Sequence, residues 1–182
     1  MLLSKASESD VSEIVALANL AYRGTSESEP GWNIEAGIID GLRLTEAGLR
    51  EDLAASPESQ LLLYRDVWDG SLVGTVQLDP NASGTWALGL LTIRPAQQGR
   101  QLGRSLLGAA EEFARSHGAN ALRITVINLR TELIAWYRRR GYILTGDSKP
   151  FHGDDRVGHP LREDIALLVL EKSLYTVHPL AD

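Results

Sequence analysis

Residues 92–118 read TIRPAQQGRQLGRSLLGAAEEFARSHG. An apolar, strand-like run stops at Pro95, a polar turn follows, and a helical pattern begins near Leu102. Unpaired N–H groups give a helix start partial positive charge, so first turns favour Asp or Glu. This start instead carries Arg100 and Arg104 beside Gly99 and Gly103, and meets no acid until Glu111. Such an opening suits an external anion. The backbone attracts it, the glycines let it come close, and the arginines add charge-assisted hydrogen bonds. An ordinary strand–turn–helix with two solvated arginines is the other reading. A Walker A loop is set aside for want of Gly-Lys-Ser/Thr, and the Gly99–Gly103 spacing does not fit G-x-G-x-x-G.

The rest of the chain supports a single domain over residues 1–182, long enough for one well-buried core. Hydrophobic content of 43% and charged content of 23% are those of an ordinary globular protein. There is no cysteine, which removes disulfides and thiolate metal sites. The opening MLLSKASESD becomes charged too soon for a secretory signal. No apolar run reaches the ~20 residues of a membrane helix. A net charge of -6 disfavours a nucleic-acid partner. The expectation is a cytoplasmic protein with no membrane or nucleic-acid role.

Outward from the opening stretch, the pattern alternates strands and helices. Residues 2–6 suit a short strand. DVSEIVALANLAY puts Val11, Ile14, Val15, Ala18 and Tyr22 on one helical face, with Ser9 or Asp10 as N-cap. Thr45 is placed to cap a second helix through about Ala55. QLLLYRDVW and SLVGTVQLD flank Asp69-Gly70, a hairpin signal, and NASG at 81–84 makes another turn before TWALGLLTIR. After the helix of 102–117, ALRITVI alternates as a half-buried strand. RTELIAWYRRRGY follows as a helix, its three arginines near the C-terminus complementing the dipole. KPFHGDDRVGHPLRE then leads to a last strand, DIALLVLEK, whose aliphatic surface is a candidate for a homodimer contact. The fold class is α/β or α+β: an antiparallel meander, then helix, strand, helix and strand, with a mixed sheet.

LGLLTIRPAQQGRQLGRSLL resembles the cofactor motif of GNAT-type N-acetyltransferases, Gln/Arg-x-x-Gly-x-Gly/Ala after a strand, occupied here by Gln98, Gly99, Arg100, Gln101, Leu102 and Gly103. AWYRRRGY resembles the later segment of that family, a tyrosine on a helix just before a Gly-aromatic strand start. The likeness runs over about residues 72–147. It implies a mixed, mostly antiparallel central sheet flanked by helices and splayed between two central strands. It also implies acetyl-CoA as co-substrate, with Leu91, Thr92 and Ile93 offering backbone groups to the pantetheine and acetyl carbonyl. The amides from Gly99 to Arg104 would hold the pyrophosphate, whose charge answers the missing acids. Two positions depart from the pattern. Gln101 stands where the family usually has glycine. Arg130 stands seven residues before the tyrosine, where asparagine is common, and either reaches a ligand or is solvated.

Acetyl transfer to an amine needs a neutral nitrogen, donors for a developing oxyanion and a proton for the leaving thiolate. The resemblance assigns the last role to Tyr137, whose phenol stays protonated at neutral pH; packing in the core is its other reading. Some members carry a glutamate where Thr125 stands, and threonine cannot act as base. Glu35, with Glu29 and Asp40 behind it, is the candidate base in the segment where the family often builds its acceptor site. Trp32 either lines that site or anchors its loop. Arg43, Arg156 and Arg162 are candidates to meet an acceptor carboxylate. The expected acceptor is a small primary amine or an amino-acid-like molecule. A protein N-terminus or lysine, and an acyl-CoA-binding module without transfer activity, stay open. His117, His152, His159 and His178 form no ligand spacing, and no metal is expected.

Overall fold

The computed structural model describes residues 1–24, 32, 34–35, 37–154 and 156–175. In chain order it holds β1 (Ser4–Lys5), α1 (Val11–Arg23), β2 (Ile39–Asp40), α2 (Glu46–Ala55), β3 (Gln60–Arg65), β4 (Leu72–Asp79), β5 (Thr85–Ile93), α3 (Leu102–Ser116), β6 (Ala121–Ile127), α4 (Thr131–Arg138), β7 (Ile143–Pro150), β8 (His159–Pro160) and β9 (Ala166–Ser173). Seven strands make one sheet in the order β1-β3-β4-β5-β6-β9-β7, and β2 pairs with β8 separately. The pair β5–β6 is parallel; the other neighbours in the sheet are antiparallel. This is the expected mixed, mostly antiparallel architecture.

Alternation along the strands decides which helix covers which face. Leu62 joins Val76, Leu78, Leu122 and Ile124 in a core capped by Leu106, Leu107, Ala110 and Ala114 of α3 and by Tyr137 of α4. Leu61 and Leu63, one residue away on either side, face the opposite core with Val11, Ile14, Leu17 and Ala18 of α1 and Leu49 of α2. Two helices therefore cover each face. Thr45 caps α2 as expected, its hydroxyl accepting the Gly48 N–H at 3.0 Å. Asp10, one of the two residues expected, stands at the N-cap of α1, but its carboxylate makes no capping bond to that helix. A 3-10 turn over Glu8–Asp10 precedes the helix, and the Asp10 carboxylate accepts from the Ser7 N–H at 2.8 Å and hydroxyl at 2.6 Å.

Three expectations change. The turn at Asp69-Gly70 is wider than a two-residue hairpin, since β3 ends at Arg65 and β4 starts at Leu72. The Asp69 carboxylate instead folds a local loop by accepting the Ser71 N–H at 2.9 Å. Second, the strand start that the resemblance implied after Gly141-Tyr142 becomes β7, which runs to Pro150 over polar, glycine-containing residues that read as loop from the residue pattern alone. Third, β9, which contains most of DIALLVLEK, is paired along both edges, to β6 and β7. It has no free edge for a second copy, and the sheet ends at β7. The tail 176–182, including His178, lies outside the described residues, as does Glu29.

Gly74 lets β4 approach the end of β5. A Cβ there would lie 2.7 Å from both the Thr92 carbonyl oxygen and Ile93 Cδ1, and 3.1 Å from Leu106 Cδ2. Overpacking of this kind costs about 1–3 kcal/mol. Gly74→Ala is expected to lower the urea midpoint accordingly; an unchanged midpoint would show that the strands are not held so close.

Candidate active site

The site begins where β5 leaves its neighbours. Gly89 faces Gln77 and Thr92 faces Thr75, so β5 holds one more residue than β4 between these pairs. The extra residue is a bulge at Leu90–Leu91, and Leu90 has a left-handed φ of 48°. Its carbonyl accepts from the Thr75 hydroxyl at 3.0 Å and the Thr92 hydroxyl at 3.1 Å, two buried side chains that hold the kink. On the other edge, β5 pairs with β6 from Thr85–Ala121 to Ala87–Arg123 and no further. The strands then diverge, as the resemblance implied, and a cavity of about 1000 Å³ occupies the gap.

One end of the cavity is built for negative charge. Gly99, with φ 79°, and Gln101, with φ 61°, flank Arg100, a backbone pattern that turns N–H groups inward. Within α3 the Ser105 N–H is bonded to the Gln101 carbonyl at 3.0 Å. Among the described residues, the amides from Gly99 through Arg104 have no such partner. The first turns of α1, α2 and α4 carry Glu13, Glu46 and Glu132, whereas that of α3 carries no acid. Arg139 and Arg140, from the end of α4, join Arg104 on the wall. Arg140 lies 3.5 Å from the centroid of the Trp136 ring, and its Nε is buried without a hydrogen-bond partner. Burial, then repulsion from Arg139 and Arg104, holds its pKa below the ordinary arginine value. Unbonded amides, an orphaned guanidinium nitrogen and converging cations fit a diphosphate.

The middle of the cavity holds two phenols. Tyr137 is buried in α4, its ring edge-on to Trp136 at 4.9 Å and to Tyr142 at 5.4 Å. Burial, and next the nearby Tyr22, push its hydroxyl above the ordinary phenol range, so it stays protonated at neutral pH. Tyr22, at the end of α1, reaches toward the Leu91 carbonyl at the bulge, with 3.5 Å between the oxygens. At the far end Glu35 is held by Arg23 at 2.6 Å, and its other oxygen lies 3.8 Å from Arg130. Trp32 sits on the rim. Its N–H donates to Gln98 Oε1 at 2.7 Å, its carbonyl accepts from Arg130 at 3.2 Å, and its ring tilts toward Trp136 at 6.1 Å.

The structure gathers most of the residues singled out from sequence. Leu91, Ile93, Gly99, Gln101, Leu102, Gly103, Arg104, Thr125, Tyr137, Glu35, Trp32 and Arg43 line the one cavity. Thr92 points its hydroxyl into the bulge, and Arg100 reaches Gln97 Oε1 at 3.3 Å; neither lines the cavity. Asp40 is exposed in β2, away from the lining. Arg156 and Arg162 are exposed and tied to Asp154 and Asp164. Arg130 is no solvated first-turn residue, since its side chain bridges Glu35 and Trp32. Sequence reasoning missed Tyr22, which looked like the end of an apolar stripe. It also missed Arg139 and Arg140 as wall residues. The helix-end role expected of them is kept as well, since Arg140 donates to the Trp136 carbonyl at 2.7 Å. Phe151 and His152 enter the wall from a loop with no motif.

The profile of the Acetyltransferase (GNAT) family matches residues 18–142, and the chain belongs to this family of acyltransferases. Streptothricin acetyltransferase of Streptomyces lavendulae is 33% identical over 90 residues, 47% of this chain and 46% of that protein. The chain thus matches less than half the length of that curated relative. A crystal structure of nourseothricin acetyltransferase is 27% identical with a TM-score of 0.55, covering 65% of this chain and 67% of the other. The PaiA N-acetyltransferase of Thermoplasma acidophilum, solved in complex with coenzyme A, shares the fold. It is 17% identical with a TM-score of 0.63, over 94% of this chain and 98% of that one. Among the described residues no helix is long and apolar enough to cross a membrane, and no group of His, Asp and Glu is placed to hold a metal.

The left-handed Gln101 explains the glycine common at this motif position. An L-residue in that conformation costs about 1–2 kcal/mol, against about 0.5–1 kcal/mol for the extra chain entropy of glycine. Gln101→Gly is expected to raise the melting midpoint by about 1–4 °C. A lower midpoint would show that the Gln101 side chain contributes more than its backbone conformation costs.

Proposed function

We propose that the protein transfers an acetyl group from acetyl-CoA to the primary amine of a small molecule. The observation that carries this reading is the row of unbonded amides from Gly99 to Arg104, opening into the same cavity as Tyr137. The names of the streptothricin and nourseothricin acetyltransferases support a small-molecule acceptor.

Bound acetyl-CoA would supply an activated thioester and leave as a thiol. Its diphosphate would be held by the amides from Gly99 through Leu102 and Gly103 to Arg104, with Arg100 and Gln101 contributing their N–H groups and Arg139 and Arg140 their charge. Thr92 and Ile93 stay in register with Thr75 and Gly74 of β4, but the edge of the Leu91–Thr92–Ile93 segment that leaves β6 has no strand partner, and from that edge its backbone would position the pantetheine arm and donate to the acetyl oxygen. Tyr137 would keep a proton facing the departing sulfur. A phenol near ~10 gives a proton to a thiolate near ~8.5 uphill, and burial steepens that climb. Its main contribution is therefore a hydrogen bond that strengthens as charge builds on sulfur, the proton following as the bond breaks. The Glu35 oxygen on the Arg130 side, the more loosely held of the two, would take the proton that the amine nitrogen gives up. Trp32 would wall the acceptor end.

Thiol release from acetyl-CoA against an amine panel tests the reading. Tyr137→Phe is expected to lower kcat by about 10²-fold or more, the usual contribution of a positioned acid. Coenzyme A affinity by calorimetry should stay near wild type. Unchanged kcat with chemistry rate-limiting would remove Tyr137 from the mechanism.

A further inference from the structure

The acetyl-transfer reading leaves the acceptor broad, and the charges at its end of the cavity narrow it. Resting on that reading, we infer that the acceptor is an amino-acid-like zwitterion whose carboxylate is taken by Arg43.

Arg43 lies between β2 and α2 and is fixed by its backbone. Its N–H donates to Asn19 Oδ1 at 2.7 Å, and Asn19 Nδ2 donates to the Leu44 carbonyl at 2.8 Å, which ties the segment to α1. The guanidinium stands over the Tyr22 ring, 5.1 Å from its centroid, on the cavity wall. The same phenol reaches the bulge at the Leu91 carbonyl, so Arg43 is one aromatic ring removed from where the acetyl group would lie. Arg23 joins this segment to the candidate base: its Nε donates to the Gly41 carbonyl at 2.7 Å and its Nη1 to Glu35 at 2.6 Å. Arg43 and Glu35 therefore serve the same end of the cavity.

The pairing of charges there is uneven. Arg23 and Arg130 both have Glu35. Arg156 and Arg162, the other arginines considered for a carboxylate, have Asp154 and Asp164 and lie outside the cavity. Among the described residues no carboxylate pairs with Arg43; its cationic group meets only the face of Tyr22. A guanidinium on a cavity wall, in a chain of net charge -6, is a fork-shaped donor set without an anion. The diphosphate would be answered by Arg104, Arg139 and Arg140 at the other end. A carboxylate on the acceptor would answer Arg43, while the ammonium beside it faces Glu35 as it loses its proton. A simple polyamine would bring no anion to Arg43.

The test uses the full chain and matched acceptors: proteinogenic amino acids, their methyl esters, and the corresponding decarboxylated amines, each at fixed saturating acetyl-CoA. Wild type is expected to favour the acids over their esters by about ten- to a hundredfold in kcat/KM, the range for one lost charge-assisted contact. Arg43→Gln should bring that ratio close to one, chiefly through KM of the acids, and Arg43→Lys should restore part of it. Coenzyme A affinity, measured by calorimetry for each variant, reports folding. A merely structural Arg43 would lower acids and esters together, which overturns the inference. Equal or better turnover of the esters and amines by wild type overturns it too, while leaving acetyl transfer standing. No turnover of any amino acid, with coenzyme A binding intact, likewise overturns it. Absence of coenzyme A binding defeats the transfer reading itself.

Discussion

β5 and β6 share three residue pairs, from Thr85–Ala121 to Ala87–Arg123, and the cavity between them exists because the pairing stops there. A parallel ladder that continued would close the gap occupied by the cavity. The bulge at Leu90 turns β5 away, a left-handed backbone of the kind that costs about 1–3 kcal/mol. Two buried hydroxyls converge on the Leu90 carbonyl and keep it satisfied. The core on the α1 face also holds Leu90 itself, packed with Leu61, Leu63 and Leu72. Strain in one residue is thus fixed by burial on one face and by hydrogen bonds from β4 and from β5 itself, and it leaves the other edge without a strand partner.

The second constraint is electrostatic. A protein with more acids than bases keeps acids away from one helix start, and there collects Arg104, Arg139 and Arg140. Their mutual repulsion and the buried, unpartnered Nε of Arg140 are each unfavourable on their own. A polyanion relieves the repulsion and also satisfies the amides, so binding and stability are linked: the folded chain should gain stability with ligand concentration. Tyr137 lies beside this charged wall yet has a pKa set first by burial, which keeps it neutral.

Much of this was legible in the residues because it depends on local chemistry. The wrong-sign helix start, the glycines around it, the Thr45 cap and the alternation of ALRITVI each act over a few positions, and each formed. What sequence did not reveal depends on approach across the fold. Tyr22 reads as a core residue until α1 is laid against the bulge of β5. β7 has no apolar alternation because it is a fully exposed strand at the end of the sheet, held by pairing with β9. Arg43, Arg156 and Arg162 look alike in sequence; only the positions of Asp154 and Asp164 separate two of them from the cavity. The left-handed turn at Gln101 was hidden by a residue type that does not advertise it.

The claim at the centre is that the amides from Gly99 to Arg104 hold the diphosphate of coenzyme A. Backbone ¹H–¹⁵N spectra of the full chain during a coenzyme A titration address it amide by amide. Saturable shifts are expected to concentrate in Gly99, Arg100, Gln101, Leu102, Gly103 and Arg104, with smaller ones along β5 from Leu91 to Ile93. Saturation with those signals unmoved, or no binding at all, would contradict it.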